Sequence, residues 1–247
     1  MQLDIILRTH DVGSVHGRDV DWPKKEIVHR CVNSVFNAVD GLDNVKTVIV
    51  DDHSSNETLQ FLSRQRAFLE PLEGTGNNAS LQKVFELAAD SKADVVYVVE
   101  DDYLHYPEAI SEAMGTFEYF QKMMGREDIC LSLVDCPLNY APPRDGLNAQ
   151  IVGGTKRAWR TNNHTGGTFM TTPEVINRYW GAFDTMAKQW PKVDENVTWN
   201  KVWADHVPLF APLNPLAYHL SCRHHYFPLE PLWESMRCKP TAMLKTA

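Results

Sequence analysis

Three things are scarce in this chain, and each scarcity excludes something. Cysteine occurs five times in 247 residues, at positions 31, 130, 136, 222 and 238, an odd number without CxxC spacing. That pattern excludes a disulfide framework and implies free thiols in a reducing compartment. Long apolar runs are missing, since none approaches the ~18 residues of a membrane span. The first residues, MQLDIILRTH, have neither the basic head nor the apolar length of a secretory signal. A cytoplasmic protein is therefore expected, and the N-x-S/T sequons at Asn56, Asn78, Asn163 and Asn196 are read as chance. Positive charge is also short: 24 Lys and Arg stand against 32 Asp and Glu, a formal net charge of -8. Nucleic acid and anionic membrane surfaces, which call for a basic face, are not expected partners. An anionic ligand would need local help.

What is present reads as a globular domain. A 43% hydrophobic content can build a sizeable core. One domain over 1–247 is expected, with a regular half to 108, a less regular half from 109 to 233 and a weakly structured tail from 234 to 247. LDIILR, VKTVIV and DVVYVV are short, nearly continuous apolar runs. Between them, Ile27, Val28, Cys31, Val32, Val35, Phe36 and Val39 recur at helical spacing after Pro23. DDHSSNETLQFLSRQ offers Ser54, Ser55 or Asn56 as a helix cap, and NNASLQKVFELAAD reads as a further helix. Apolar strands alternating with helices imply an α/β fold whose central sheet is mostly parallel and covered on both faces. Further on, CLSLVD reads as a strand, PLNYAPPRDG as a long loop, and helices are expected from Pro173 and over about Asp194 to Trp203.

Ligands of such sheets gather at the carboxyl ends of the strands. Arg8-Thr9-His10-Asp11, Asp51-Asp52-His53-Ser54 and Glu100-Asp101-Asp102 fall there. Aspartate after a strand also caps helices and tightens turns. Two Asp-Asp pairs ending two strands of one sheet favour a shared site. Three consecutive acids repel, by roughly 4 kcal/mol per pair at ~4 Å and an effective dielectric near 20 before relaxation. Something positive is expected among them, and hard carboxylate oxygens suit Mg2+ or Mn2+ shared with substrate phosphates.

The ordered set IILRTHD, VIVDDHSSNET, GTGNNASLQKVFELA and VVYVVEDDYLHYPEA, spanning about Leu3 to Glu108, resembles the nucleotide-sugar half of GT-A fold glycosyltransferases, especially inverting family-2-like enzymes. VEDDYLHYP also looks like the EDD metal motif of the N-acetylglucosaminyltransferase I group. The resemblance implies a Rossmann-like nucleotide-diphospho-sugar transferase fold, with 1–108 binding the donor and 109–233 binding the acceptor. It places Arg8, Thr9, His10, Asp51, Asp52, Asn78 and Asp101 around the nucleotide. Asp102 becomes the ligand of Mn2+ or Mg2+, with His219 of PLAYHL as a further metal or diphosphate ligand, or else a structural histidine. A nucleoside diphosphate sugar, UDP-sugar first, is the implied donor and a glycan or other hydroxyl the acceptor. An inverting transfer needs a carboxylate base, and QWPKVDENVTWNKVW supplies Asp194 or Glu195, with Asp205 in reserve. TNNHTGGTFM resembles the segment beneath the donor sugar, where Gly166 and Gly167 permit close approach. Where the family pattern often has an arginine near NNASLQ, this chain has none.

Each assignment has a plainer rival. Acids opening a helix favour its dipole; Trp159, Trp180, Trp199 and Trp203 could stack on an acceptor sugar, but large aromatics usually fill cores; and Arg157, Arg160 and Arg223 could contact phosphate or acceptor, but surface arginines are usually solvated. His219, Cys222, His224 and His225 suggest zinc but lack a second half with ligand spacing. THDVGSVHGRD is a poor match for the Gly-rich, Arg-bearing loop of a sugar nucleotidylyltransferase. Gly74-x-Gly76-x-x-Ala79 imitates a dinucleotide fingerprint, but FLEPLEGTGNN reads as having no strand before it. No GxxxxGK[ST] run exists. A non-catalytic nucleotide-sugar or carbohydrate-binding module of the same fold is the rival of different class.

Overall fold

The computed structural model describes residues 1–13, 20–135 and 149–220. The PLNYAPPRDG loop, Cys136, Cys222, Cys238, Arg223, His224, His225 and the tail from 234 lie outside them. The strands are β1 (Leu3–Thr9), β2 (Val45–Asp51), β3 (Phe68–Pro71), β4 (Val95–Glu100), β5 (Tyr103–His105), β6 (Cys130–Leu131), β7 (Ile151–Gly153), β8 (Ala158–Asn162), β9 (Phe169–Thr171), β10 (Leu209–Pro212) and β11 (Ala217–His219). The α-helices are α1 (Lys24–Ala38), α2 (Asn56–Leu62), α3 (Gly76–Asp90), α4 (Ala109–Met124), α5 (Pro173–Arg178), α6 (Trp180–Gln189) and α7 (Trp199–Asp205).

Nine strands form one sheet in the order β3-β2-β1-β4-β9-β6-β10-β8-β7, and β11 pairs with β5 in a separate ribbon. The long ladders, β1 with β2 and with β4, are parallel, whereas the second half adds short antiparallel strands. The expected α/β architecture is present. Alternation along the strands explains the two covered faces, because successive side chains point to opposite sides. Leu3, Ile5, Leu7, Val95, Tyr97 and Val99 join one core with Val28, Val32, Leu62, Phe117 and Phe120. Ile6, Val96 and Val98 join the other, with Leu81, Phe85, Val175, Phe183, Trp199 and Trp203. In that second core Phe85, Phe169, Phe183 and Trp199 pack with ring centroids 5.2–6.4 Å apart, within the range of favourable aromatic pairs. Trp159, Trp199 and Trp203 are core residues.

Local chemistry sets most helix starts. Ser55 caps α2 through the Thr58 N–H, and Thr172 caps α5 with Pro173 in its first turn. The helix expected from Asp194 to Trp203 is instead split. Asp194 accepts the N–H groups of Asn196 and Val197 and caps a short 3-10 turn, Glu195–Val197, and Thr198 breaks the path (φ -119°, ψ -111°) before α7. Only Cys130–Leu131 of CLSLVD pairs as strand. Conversely, FLEP does form a strand ahead of Gly74, an edge strand with Phe68 and Leu69 exposed. That corrects one ground for setting aside the dinucleotide fingerprint. The lone edge position still differs from the central strand that such a fingerprint follows. Cys31 and Cys130 are buried and unbridged, and burial pushes the Cys130 thiol well up.

The core also holds a neutral histidine. His105 Nε2 lies 2.7 Å from the Tyr97 hydroxyl, and its Nδ1 is buried without a partner among the described residues. Burial holds its pKa down to about 4. A folded-state pKa below the unfolded value of about 6.5 means that the unfolded chain takes up the proton first as pH falls. Stability is then unaffected above pH 6.5 and declines between pH 6.5 and 4, by about 3 kcal/mol in total. Urea midpoints across that range should fall for the native chain and fall less for His105→Gln. Equal slopes would refute the role assigned to His105.

Candidate active site

At the carboxyl edge of β1, β2 and β4 lies a cleft of about 520 Å3, within the range of small-ligand sites. β1 brings Arg8, Thr9 and His10, the turn after β2 brings Asp52 and His53, and β4 ends in Glu100, Asp101 and Asp102. The start of α3 adds Thr75, Gly76, Asn77 and Ser80, and the first turn of α1 adds Lys24. Parallel pairing of β1 with both neighbours, Thr9 opposite Asp51 and Arg8 opposite Glu100, is what aligns these strand ends.

The two Asp-Asp pairs are not equivalent within themselves. Asp51 accepts the hydroxyl of fully buried Thr9 at 2.8 Å and the N–H of Ser54 at 2.9 Å, so both oxygens are engaged in the wall behind the cleft. Asp52 faces the cleft, receives the Gly76 N–H at 2.9 and 3.0 Å, and has the His53 ring beside it at 3.2 Å. Gly76 adopts φ +87°, where a side chain would strain the turn that delivers this N–H. His10 directs its N–H to Asp101 Oδ2 (2.8 Å) and its Nδ1 to the Asp52 carbonyl (2.6 Å). Asp11 lies behind it and holds Ser55. Burial pushes its carboxyl up, but hydrogen bonds from Ser55 and Thr58 outweigh that and hold it low.

In the acidic triplet each carboxylate has a different neighbour. Glu100 is bonded by Arg8 at 2.5 Å, and Lys24 is paired with Asp101. Asp102 lies 3.4 Å from His219 Nε2. Burial pushes the Glu100 carboxyl upward against the pull of Arg8, and Asp102 adds to the push. The Arg8 guanidinium also reaches Asn77 Oδ1 at 2.6 Å and Ser80 Oγ at 3.4 Å. A cation thus stands at NNASLQ after all, delivered from β1. Asn78 instead donates to the Trp190 carbonyl and does not line the cleft.

His219 meets Asp102 because the β11–β5 ribbon sets it opposite Tyr103, on which its ring stacks at 4.3 Å, while Leu220 N–H donates to the Asp102 carbonyl. Gly167 abuts the triplet: a Cβ there would lie 2.6 Å from the Glu100 carboxyl carbon. Its segment is fixed by Glu100 N–H to Thr168, Thr165 N–H to Asn200, and Trp199 to the Thr165 carbonyl. This network runs through α7 to the turn carrying Asp194 and Glu195. Neither lines the cleft, and Asp205, exposed, closes the far end of α7. Arg157 and Arg160 do not line it either: Arg157 pairs with Glu112 at 2.5 Å and Arg160 with Asp135 at 2.6 Å.

Lys24 was missed from the sequence, whereas His53 was placed at a strand end, and Asn77 and Ser80 within NNASLQ, without a role. Only the apolar spacing of α1 hinted that a residue near Pro23 would face a strand end.

Residues 23–140, slightly under half of the chain, match the model of the family described as Glycosyl transferase family 2. That match supports a glycosyltransferase. No curated protein sequence matches the chain. Among solved structures it is similar to glucosyl-3-phosphoglycerate synthase from Mycobacterium tuberculosis in complex with Mn2+, uridine-diphosphate and glucosyl-3-phosphoglycerate, at 14% identity and TM-score 0.49, covering 96% of this chain and 76% of that one. S. aureus TarS 1-349 in complex with UDP-GlcNAc is 16% identical, with TM-score 0.43 over 72% of this chain and 47% of that one. Mannosyltransferase PcManGT from Pyrobaculum calidifontis, in complex with GDP-Man and Mn2+, is 14% identical with TM-score 0.42, over 72% and 46%. The chain spans about half of TarS 1-349. Among the described residues no helix is long and apolar enough to cross a membrane.

Proposed function

We propose that the protein transfers a sugar from a nucleoside diphosphate sugar, UDP-sugar first, to an acceptor hydroxyl, with a divalent cation and with inversion. The observation that carries this is that Asp102, which lines the cleft with Arg8 and Lys24, meets His219, 117 residues away in sequence, at 3.4 Å. The donor set suits a metal shared with substrate. Among the described residues no group of three or more His, Cys, Asp or Glu forms a closed metal site. One carboxylate and one imidazole leave positions for phosphate oxygens. Asp102 and His219 would hold the ion, which when bound neutralises charge on the leaving diphosphate.

The remaining roles belong to the chain itself. Asp52 offers a carboxylate to the N–H edge of a pyrimidine, and Arg8, held by Asn77 and Glu100, presents a fixed guanidinium to phosphate. The base removes the acceptor proton as that oxygen attacks the anomeric carbon and the diphosphate departs from the opposite face. Between the two candidates the geometry favours Glu195. Asp194 is committed to capping, whereas Glu195 has no side-chain partner among the described residues.

Glu195→Gln is expected to lower transfer from a UDP-sugar with Mn2+ by a factor of about 100 or more, the low end for a positioned general base, with donor binding unchanged. Asp194→Asn should reduce stability more than rate. A Glu195→Gln enzyme of native rate, or an NMR product that keeps the donor's anomeric configuration, would refute the base or the inversion respectively. Metal-dependent UDP binding without transfer or hydrolysis would identify a binding module.

A further inference from the structure

The triplet Glu100-Asp101-Asp102 raises the question of what positive charge keeps three adjacent acids together. The chain answers with its own cations for two of them. Arg8 and Lys24 serve Glu100 and Asp101, and these two cations are held differently. Arg8 is fixed by Glu100, by the side chain of Asn77 and by Ser80, a planar fork with several acceptors. Lys24 reaches 77 residues along the chain to Asp101, with side chains 10% and 11% exposed, and among the described residues Asp101 is its only acceptor. The second oxygen of Asp101 is taken by the His10 N–H. Lys24 is therefore a compact charge on a flexible four-carbon stem, held by one carboxylate oxygen at the wall of the cleft. The charged lining sums to four carboxylates, Asp52, Glu100, Asp101 and Asp102, against Arg8 and Lys24. A divalent ion beside Asp102 competes with Lys24 for this negative field, and a diphosphate arriving with that ion brings negative charge of its own.

We propose that Lys24 is a tethered counter-ion: it neutralises Asp101 until a divalent cation binds, then turns its ammonium from Asp101 to the diphosphate of the donor. The proposal rests on the function proposed above and names a positioning and binding residue of that same site. It has a signature that a merely structural lysine lacks. Removing its charge should affect metal and nucleotide in opposite directions, because the lysine competes with the first and attracts the second.

The test is calorimetric titration of the full chain with Mn2+ alone, and with UDP at saturating Mn2+. Lys24→Met should bind Mn2+ alone about tenfold more tightly and UDP about tenfold more weakly, the usual influence of one charge a few ångströms from a carboxylate or phosphate. Lys24→Arg, which keeps the charge, should lie near the native values for Mn2+. Lys24→Gln, able to hydrogen-bond Asp101, carries the same two expectations if Lys24→Met does not fold. One measurement needs no variant: the 15Nζ resonance of Lys24 should shift on adding Mg2+ and shift again on adding UDP. Affinities that move together or stay unchanged, or a resonance that neither addition moves, would overturn the role of Lys24. A native chain that binds neither Mn2+ nor UDP would overturn the functional reading itself, which is a distinguishable result.

Discussion

Asp102→Ala should abolish metal-dependent transfer, by on the order of 1,000-fold, equivalent to about 4 kcal/mol of transition-state stabilisation, and leave the fold intact. The side chain sits where β4 ends, beside His219, and the contact that anchors the neighbouring ribbon is made by the Asp102 carbonyl, which the substitution keeps. Removing one of three adjacent acids also relieves repulsion with Glu100 and Asp101. The melting temperature should therefore hold or rise while Mn2+ binding and turnover fall. Asp51→Ala makes the contrasting case. That carboxylate joins Thr9 to the Ser54 turn behind the cleft, so its loss should appear as instability. If Asp102→Ala retains turnover with Mn2+, the metal site does not lie at the end of β4.

The second large effect is on stability. Asp135→Ala should destabilise the protein by about 3–5 kcal/mol, because it leaves the Arg160 guanidinium buried without its carboxylate. The side chains of Arg160 and Asp135 are 1% and 7% exposed, with N–O distances of 2.6 and 3.1 Å. Such a loss is a third or more of the stability of many domains, about 5–15 kcal/mol. A urea titration should show a lower midpoint with an unchanged slope. Replacing both partners by apolar residues, Arg160→Met with Asp135→Leu, should recover much of the loss, since the desolvation cost disappears along with the attraction. A midpoint for Asp135→Ala equal to the native one would contradict the ion pair's role.

The parts of the fold that were legible in the sequence are those decided locally. LDIILR, VKTVIV and DVVYVV are strands because β-branched and apolar runs fit a sheet buried on both faces. The start of α2 could be placed at Ser54, Ser55 or Asn56 because a cap bonds to an N–H three residues on, and that of α5 near Pro173 because proline suits a first turn. β3 was invisible, since an edge strand with Phe68 and Leu69 exposed buries no apolar face to pattern. The run CLSLVD, apolar enough for a full strand, pairs over two residues only, and beyond them the Leu133 carbonyl accepts the N–H groups of Leu216 and Ala217 instead of continuing the ladder. Arg160 was assigned to the exposed class by its residue type. Its burial depends on Asp135, 25 positions earlier.

By itself, the sequence determined that carboxylates, a guanidinium and imidazoles would stand at the carboxyl edge of a parallel block, because strand ends are set by apolar runs that can be read in one dimension. Only the tertiary structure decided which of those groups face the cleft. Asp51 and Asp52 are adjacent and chemically identical, yet one is consumed by Thr9 and Ser54 and the other lines the cavity. Asp101 and Asp102 likewise differ in their neighbours, Lys24 and the His10 N–H at the first and His219 at the second. Charge interactions depend on distance through space and on the water excluded between groups. Partners 77 and 117 residues away meet these acids only after α1 and the β5–β11 ribbon have packed.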